Sequence, residues 1–160
     1  MRYWFDTEFM DNGRTIELIS IGIVAVDGRE YYAENSEADL TAANDFVVKN
    51  VIPHLEGGAA LKSRAQIADE IRQFAGPAPE FWAYYGAYDW VVLCQLYGAM
   101  VDLPRGWPMF VLDVKQWAMT LGDPPLPDKP TDRAHNALID ARWTRRAWDF
   151  LHDEEVYRAC

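Results

Sequence analysis

The chain has 160 residues, half of them hydrophobic and 14% aromatic, and a formal net charge of −10. This is one domain's worth of sequence, able to fill a sizeable core, and no apolar run approaches the ~18 residues that a membrane span needs. The acidic balance argues against a general nucleic-acid binder with a basic face. It is uneven, however: residues 1–102 hold 7 Lys/Arg against 16 Asp/Glu, whereas residues 103–160 hold 8 against 9, so a polyanion meets least repulsion in the C-terminal part.

Residues 2–9, RYWFDTEF, alternate Arg2, Trp4, Asp6 and Glu8 against Tyr3, Phe5, Thr7 and Phe9, which predicts a strand. Asn12-Gly13 is a tight-turn signal, and IELISIGIVAVDG reads as a strand buried on both faces. REYYAENS completes a three-strand antiparallel meander. The pattern then turns helical. AANDFVVKNVIPHL predicts a short helix stopped before Pro53. KSRAQIADEIRQFAG predicts a longer one, with Ser63 as its cap, Ile67, Ile71 and Phe74 on one face, and Gly76-Pro77 at its end. PEFWAYYGA predicts a strand, YDWVVLCQLYG a short helix from near Asp89 to Gly98, and WPMFVLDVKQWAM a strand turning into a helix. Beyond the Pro-rich loop GDPPLPDKPTD, a last long helix covers about Asn136 to Asp153. The order β-β-β-α-α-β-α-β-α-α implies an α/β architecture: a mixed sheet flanked by helices, forming a single domain over residues 1–160, with the first strand at or near the centre.

Asp6 and Glu8 are two apart on a strand, so both project to one face. Two carboxylates that close repel unless one is protonated or a cation lies between them, and hard oxygen ligands of this kind select Mg²⁺ or Mn²⁺. Short D-x-E strings are also common on solvated strand faces, so the decision falls to the other polar positions. Asp89 stands at a strand-to-helix junction among aromatics. His135 and Asp140 lie five apart where the last helix begins, about 140° apart on a continuous helix. They converge only if His135 belongs to the approach loop.

With these residues in view, FDTE at 5–8, YDW at 88–90 and HNALIDA at 135–141 resemble the three motif blocks of the DEDD-type 3′-to-5′ exonucleases. That group includes RNase T, oligoribonuclease and the proofreading exonuclease of replicative polymerases. A His ahead of the final Asp with four residues between them resembles the DEDDh branch rather than the branch that uses Tyr. The resemblance spans nearly the whole chain and implies a ribonuclease H-like fold, with a mixed sheet, an antiparallel three-strand meander and flanking helices. It implies that Asp6, Glu8, Asp89 and Asp140 ligate two Mg²⁺ or Mn²⁺ ions and that His135 is the general base, since an unperturbed imidazole titrates near ~6.5. The implied activity is hydrolysis of nucleoside 5′-monophosphates from single-stranded 3′ ends, RNA in preference to DNA. The implied assembly is a homodimer, and a cytoplasmic location is expected because the N-terminus lacks a signal-peptide pattern.

The chain departs from the family in two places. Phe9-Met10 replaces the usual Thr-Gly after the first block, and Tyr85-Gly86-Ala87-Tyr88 stands where an Asn is usual before the second. Phe9, Met10 and Trp90 are therefore candidate contacts to terminal bases, with plain core packing as the competing reading for Phe9 and Trp90. Arg105, Lys129 and Arg133, in or beside loops, are candidate contacts to the nucleic-acid backbone. Asp113 is expected to cap a helix, Asp11 and Asp27 to serve turns, and Arg142, Arg145 and Arg146 to line a solvated face, with His54 and His152 also solvated. Cys94, in an apolar helical stretch, is expected in the core and Cys160, the last residue, at a frayed end; the two form no CxxC pair and no cluster with zinc spacing. The alternatives are a proofreading-type DNA exonuclease, an Mg²⁺-dependent phosphatase of the haloacid-dehalogenase type, in which D-x-D is usual where this chain has Glu8, and an inert nucleic-acid-binding subunit, against which all five chemical positions are filled.

Overall fold

The computed structural model describes residues 1–131 and 134–159, with side chains given through residue 153; Arg133 and Cys160 lie outside the described residues. The meander forms as expected: β1 (Arg2–Asp11), β2 (Ile16–Ala25) and β3 (Glu30–Asn35) pair antiparallel in sequence order. The Asp11–Thr15 turn is closed by side chains, with Gly13 N donating to Asp11 Oδ1 and Thr15 N to Asn12 Oδ1. A two-residue strand that the sequence pattern does not signal, β4 (Leu61–Lys62), adds parallel to β3. On the other side, β5 (Glu80–Ala83) and β6 (Leu112–Asp113) extend the sheet in parallel, giving the order β4-β3-β2-β1-β5-β6 with β1 inside it.

The helices are α1 (Asp45–Asn50), α2 (Arg64–Ala75), α3 (Ala87–Gln95), α4 (Val114–Thr120) and α5 (Ala137–Ala159). Ser63 caps α2, as the sequence predicts, and closes a reciprocal capping box with Gln66. Asp113 caps α4 through Lys115 N and Gln116 N, and its second oxygen accepts from Gly86 N, tying α4 to the turn that leads into α3. The last helix runs on to Ala159, beyond the expected end at Asp153. The expected strand PEFWAYYGA is ordered as sheet only over Glu80–Ala83, because Tyr85 takes a left-handed φ of 59° and turns the chain into α3.

The alternation in β1 sorts its side chains between two cores. Tyr3 and Phe5 join Leu18, Ile21, Ile23, Phe81 and the inner faces of α2 and α3. Trp4 instead joins Trp143, Trp148 and Leu151 of α5 and Val114 and Ala118 of α4. A bulge opposite Glu8/Phe9 then lets Ile19 pass as an extra residue of β2, and Met10 and Ile19 pack on Val47 and Val51 beside α1.

One backbone contact decides where α5 lies. Gly22 of β2 pairs with Asp6, and a Cβ at residue 22 would overlap the backbone of Ala137 and Leu138. The first turn of α5 thus rests directly on the sheet beside Asp6. Gly22→Ala is expected to destabilise the fold by about 3 kcal/mol, the upper part of the usual overpacking range, because a helix backbone cannot rotate away as a side chain can. Urea unfolding checks this, and a loss below about 0.5 kcal/mol would show that the helix is free to lift.

Candidate active site

Parallel pairing between β1 and β5 covers only Arg2, Tyr3 and Trp4. Beyond Trp4, β1 therefore has one edge without a strand partner, and its backbone donors need another acceptor. Asp89, in the first turn of α3, supplies it: its Oδ1 accepts from Thr7 N at 2.8 Å and from Thr7 Oγ1 at 2.7 Å. This holds a buried carboxylate beside the strand that carries Asp6 and Glu8. On the other side, the approach of α5 at Gly22 brings in Asp140, which is 2% exposed.

His135 does lie in the approach turn rather than on the helix. Its φ is 68°, a conformation that disfavours side-chain-bearing residues, and its backbone N–H donates to Asp140 Oδ2 at 3.0 Å. Asn136 follows as the cap of α5, accepting from Ile139 N and donating to His54 O. Bent in this way, the chain turns the His135 ring toward β1, with Nδ1 3.9 Å from Glu8 Oε1. Ligand atoms of Glu8, His135 and Asp140 lie within 4.8 Å of one another.

These groups line a cleft of about 370 Å³ together with Asp6 and Asp89. Its wall is aromatic. Phe9 stacks on Tyr88 with ring centroids 5.8 Å apart and planes 7° from parallel, and the Phe46 ring meets the His135 ring edge-on at 5.0 Å. Tyr85 and Tyr88 are well exposed there. No short motif announces Phe46, which arrives from α1; Tyr88 stood next to the predicted Asp89 and was legible only as a neighbour.

Three of the six proposed contacts to bases and backbone change on inspection, and Arg133 lies outside the described residues. Trp90 is 7% exposed and packs against Phe5 and Phe81, so it belongs to the core and its competing reading prevails. Met10 is buried beside Ile19, Val47 and Val51 and does not line the cleft, although its neighbours Phe9 and Asp11 do. Arg105 lines a separate groove with Trp107 and Arg72. Phe9 and Lys129 do line the cleft. Arg142 pairs with Glu30 and Arg145 with the Ala25 carbonyl, which makes both structural.

Confinement of so many acids has an electrostatic consequence. Burial, then the Asp89, Glu8 and Asp140 carboxylates, raise the Asp6 carboxyl well above its ordinary range. Burial, followed by Asp140 and Asp89, pushes Glu8 up to about 8. Burial pushes Asp89 up to about 6, against the opposing pull of the Thr7 hydrogen bonds. Asp140 Oδ1 is buried and, among the described residues, accepts no hydrogen bond, although the Lys129 ammonium lies 3.1 Å away. A crowded set of carboxylate oxygens, one of them unsatisfied, fits a hard divalent cation such as Mg²⁺ or Mn²⁺.

Comparison with known proteins gives a consistent picture. The profile of the 3′-5′ exoribonuclease Rv2179c-like domain matches residues 1–152. Two Mycobacterium tuberculosis proteins, 3′-5′ exoribonuclease Rv2179c of strain H37Rv and 3′-5′ exoribonuclease MT2234.1 of strain CDC 1551, are each 46% identical over 148 residues, covering 89% of this chain and 88% of the relative. Exonuclease I superposes with a TM-score of 0.63 at 15% identity over 94% of this chain, which spans 40% of that protein's length. A 3′-exonuclease that recognises the 3′ end of a histone mRNA stem-loop superposes with a TM-score of 0.53 at 15% identity, covering 95% of this chain and 81% of that one. At such identities these two solved structures establish the shared ribonuclease H-like fold.

The raised carboxyls set a testable pH dependence. Glu8 moves from 4.5 to about 8 and Asp89 from 3.8 to about 6, so over that window the folded protein holds more protons than the unfolded chain. Unfolding free energy without added divalent cation must then fall as pH rises through the window. Bound cation removes the repulsion, so the melting-temperature gain from millimolar Mg²⁺ is expected to be larger near pH 8 than near pH 5, as checked by calorimetric melts.

Proposed function

The chain belongs to the Rv2179c-like 3′-5′ exoribonuclease family, and on that premise we propose that it removes nucleotides singly from single-stranded RNA 3′ ends, with Asp6, Glu8, Asp89 and Asp140 holding two divalent ions and His135 acting as general base. The observation that carries this reading is the convergence of Glu8, His135 and Asp140 within 4.8 Å, on a cleft floor shared with Asp6 and Asp89. When bound, such ions lower the pKa of an attacking water and neutralise charge on the scissile phosphate.

The protein's own groups do the rest. His135, displayed at the mouth of the cleft by its left-handed turn, takes a proton from the attacking water near neutral pH. The water oxygen bonds to phosphorus as the bond to the 3′ oxygen of the preceding nucleotide breaks. That oxygen gains a proton, leaving a nucleoside 5′-monophosphate and a shortened chain with a free 3′-hydroxyl. The Asp140 carboxylate holds the His135 backbone in place through the 3.0 Å bond, so one residue supplies a ligand and orients the base. The stacked Phe9–Tyr88 pair offers a flat apolar surface to the terminal base. An acidic chain neutralises few phosphates at once, which favours short single-stranded ends over long duplex.

We further propose a homodimer working in the cytoplasm; among the described residues no helix is long and apolar enough to cross a membrane. Light scattering checks the assembly, with a mass of two chains expected.

Incubation with 5′-labelled and 3′-labelled RNA oligonucleotides tests the reaction. Stepwise shortening from the 3′ end, abolished by EDTA, is expected, and activity that survives EDTA would contradict it. His135→Ala is expected to lower kcat by about 10²–10⁴-fold, the usual contribution of a positioned general base. Phe9→Ala should raise KM for RNA about tenfold, with kcat kept within about threefold, as for the loss of one stacking contact.

A further inference from the structure

Lys129 sits in the loop between α4 and α5, and its ammonium has two partners among the described residues. Nζ lies 3.1 Å from Asp140 Oδ1 and 5.0 Å from the centroid of the Trp143 ring. Both partners belong to α5 and are three residues apart, so they present one face to the lysine. The backbone near Lys129 is anchored, because Trp143 Nε1 donates to Pro127 O at 2.8 Å. The side chain itself is about half exposed. It therefore has an anchored root and a solvent-accessible end.

Among the described residues lining the cleft, Lys129 is the one Lys or Arg. It also lines an adjoining groove of about 430 Å³ that contains Lys115, Tyr84 and Trp143. Asp140 Oδ2 is already engaged by the His135 backbone, and Oδ1 accepts no hydrogen bond from the described residues. Oδ1 is thus the oxygen left for a cation, and Lys129 is aimed at it. An ammonium and a divalent ion on the same oxygen would repel strongly in a site so poorly solvated.

We propose that Lys129 is a resident counter-ion of the acidic cluster: it neutralises Asp140 when no divalent ion is bound and gives way to one on loading, withdrawing along the Trp143 face into the adjoining groove. This rests on the reading of Asp6, Glu8, Asp89 and Asp140 as metal ligands. The indole face is a suitable second station, since an ammonium over a ring retains favourable electrostatics after leaving a carboxylate. The exchange has a thermodynamic consequence. A conformer with Lys129 on Asp140 cannot accept the metal there, so apparent metal affinity is reduced by the fraction of molecules free of it.

The test uses the full chain and its Lys129→Met variant, which keeps a stem of similar length without the charge. Calorimetric titration with MnCl₂ near pH 8 is expected to show about threefold to tenfold tighter binding in the variant, the factor for a blocking conformer that dominates the population. Thermal melts without metal should show a lower midpoint for the variant, whereas Mn²⁺-saturated midpoints should coincide. Equal or weaker Mn²⁺ binding in K129M, or midpoints lowered equally with and without Mn²⁺, would overturn the exchange while leaving the metal reading intact. Failure of the unaltered chain to bind Mn²⁺ would overturn both.

Discussion

The contact between Gly22 and the first turn of α5 is the constraint on which the site depends. Sheet and helix meet backbone to backbone at that point, beside the residue paired with Asp6. Asp140 is the fourth residue of α5, so its distance from the carboxylates of β1 is set by how closely the helix settles on β2. His135 is tied to Asp140 through its backbone N–H, and Lys129 meets it through its ammonium. Three residues of the site thus inherit their positions from one missing side chain.

The rest of the molecule supports a cluster that opposes folding. Buried carboxylates raise one another's pKa, and each raised pKa is a stability loss at neutral pH. His135 and Tyr85 add local strain through left-handed backbone conformations, a cost of order 1–3 kcal/mol each that packing must offset. The offset comes from large apolar side chains on both faces of the central strands. Tyr3, Phe5 and Phe81 fill one side, and Trp4, Trp143 and Trp148 the other. Fully burying side chains of this size contributes about 1.5–3 kcal/mol apiece. The aromatic content that stands out in the composition is mostly spent in these two layers, and a smaller part, Phe9, Tyr85, Tyr88 and Phe46, forms the wall of the cleft.

This division explains which aromatic readings survived. Phe9, Met10 and Trp90 flank the motif acids in sequence, and nothing in their spacing separates wall from core. Trp90 follows Asp89 on a helix, so a step of about 100° turns it away from the acid and into the interior. Met10 is taken up by a small core with Ile19, the extra residue of β2, and with Val47 and Val51, which come from a distant element. Phe9 stays at the cleft because Tyr88, from another element, stacks on it. Lys129 was legible as a loop cation, but its aim at Asp140 depends on the Trp143–Pro127 hydrogen bond that anchors the loop.

The sequence by itself determined what depends on local chemistry. Period-two alternation specifies β1, the meander follows from Asn12-Gly13 and Asp27-Gly28, the cap of α2 is written in Ser63 and Gln66, and the acids and histidine are recognisable by type, order and spacing. Tertiary structure alone decided what depends on elements meeting. It ended the β1–β5 pairing at Trp4 so that Asp89 could bond to Thr7, and it seated α5 on Gly22 so that Asp140 and His135 converge on Glu8. It also left one oxygen of Asp140 facing Lys129. Strand propensity and helix caps act over a few residues, whereas Thr7 and Asp89 are 82 positions apart and α5 reaches Gly22 from farther still, so no local pattern encodes these approaches.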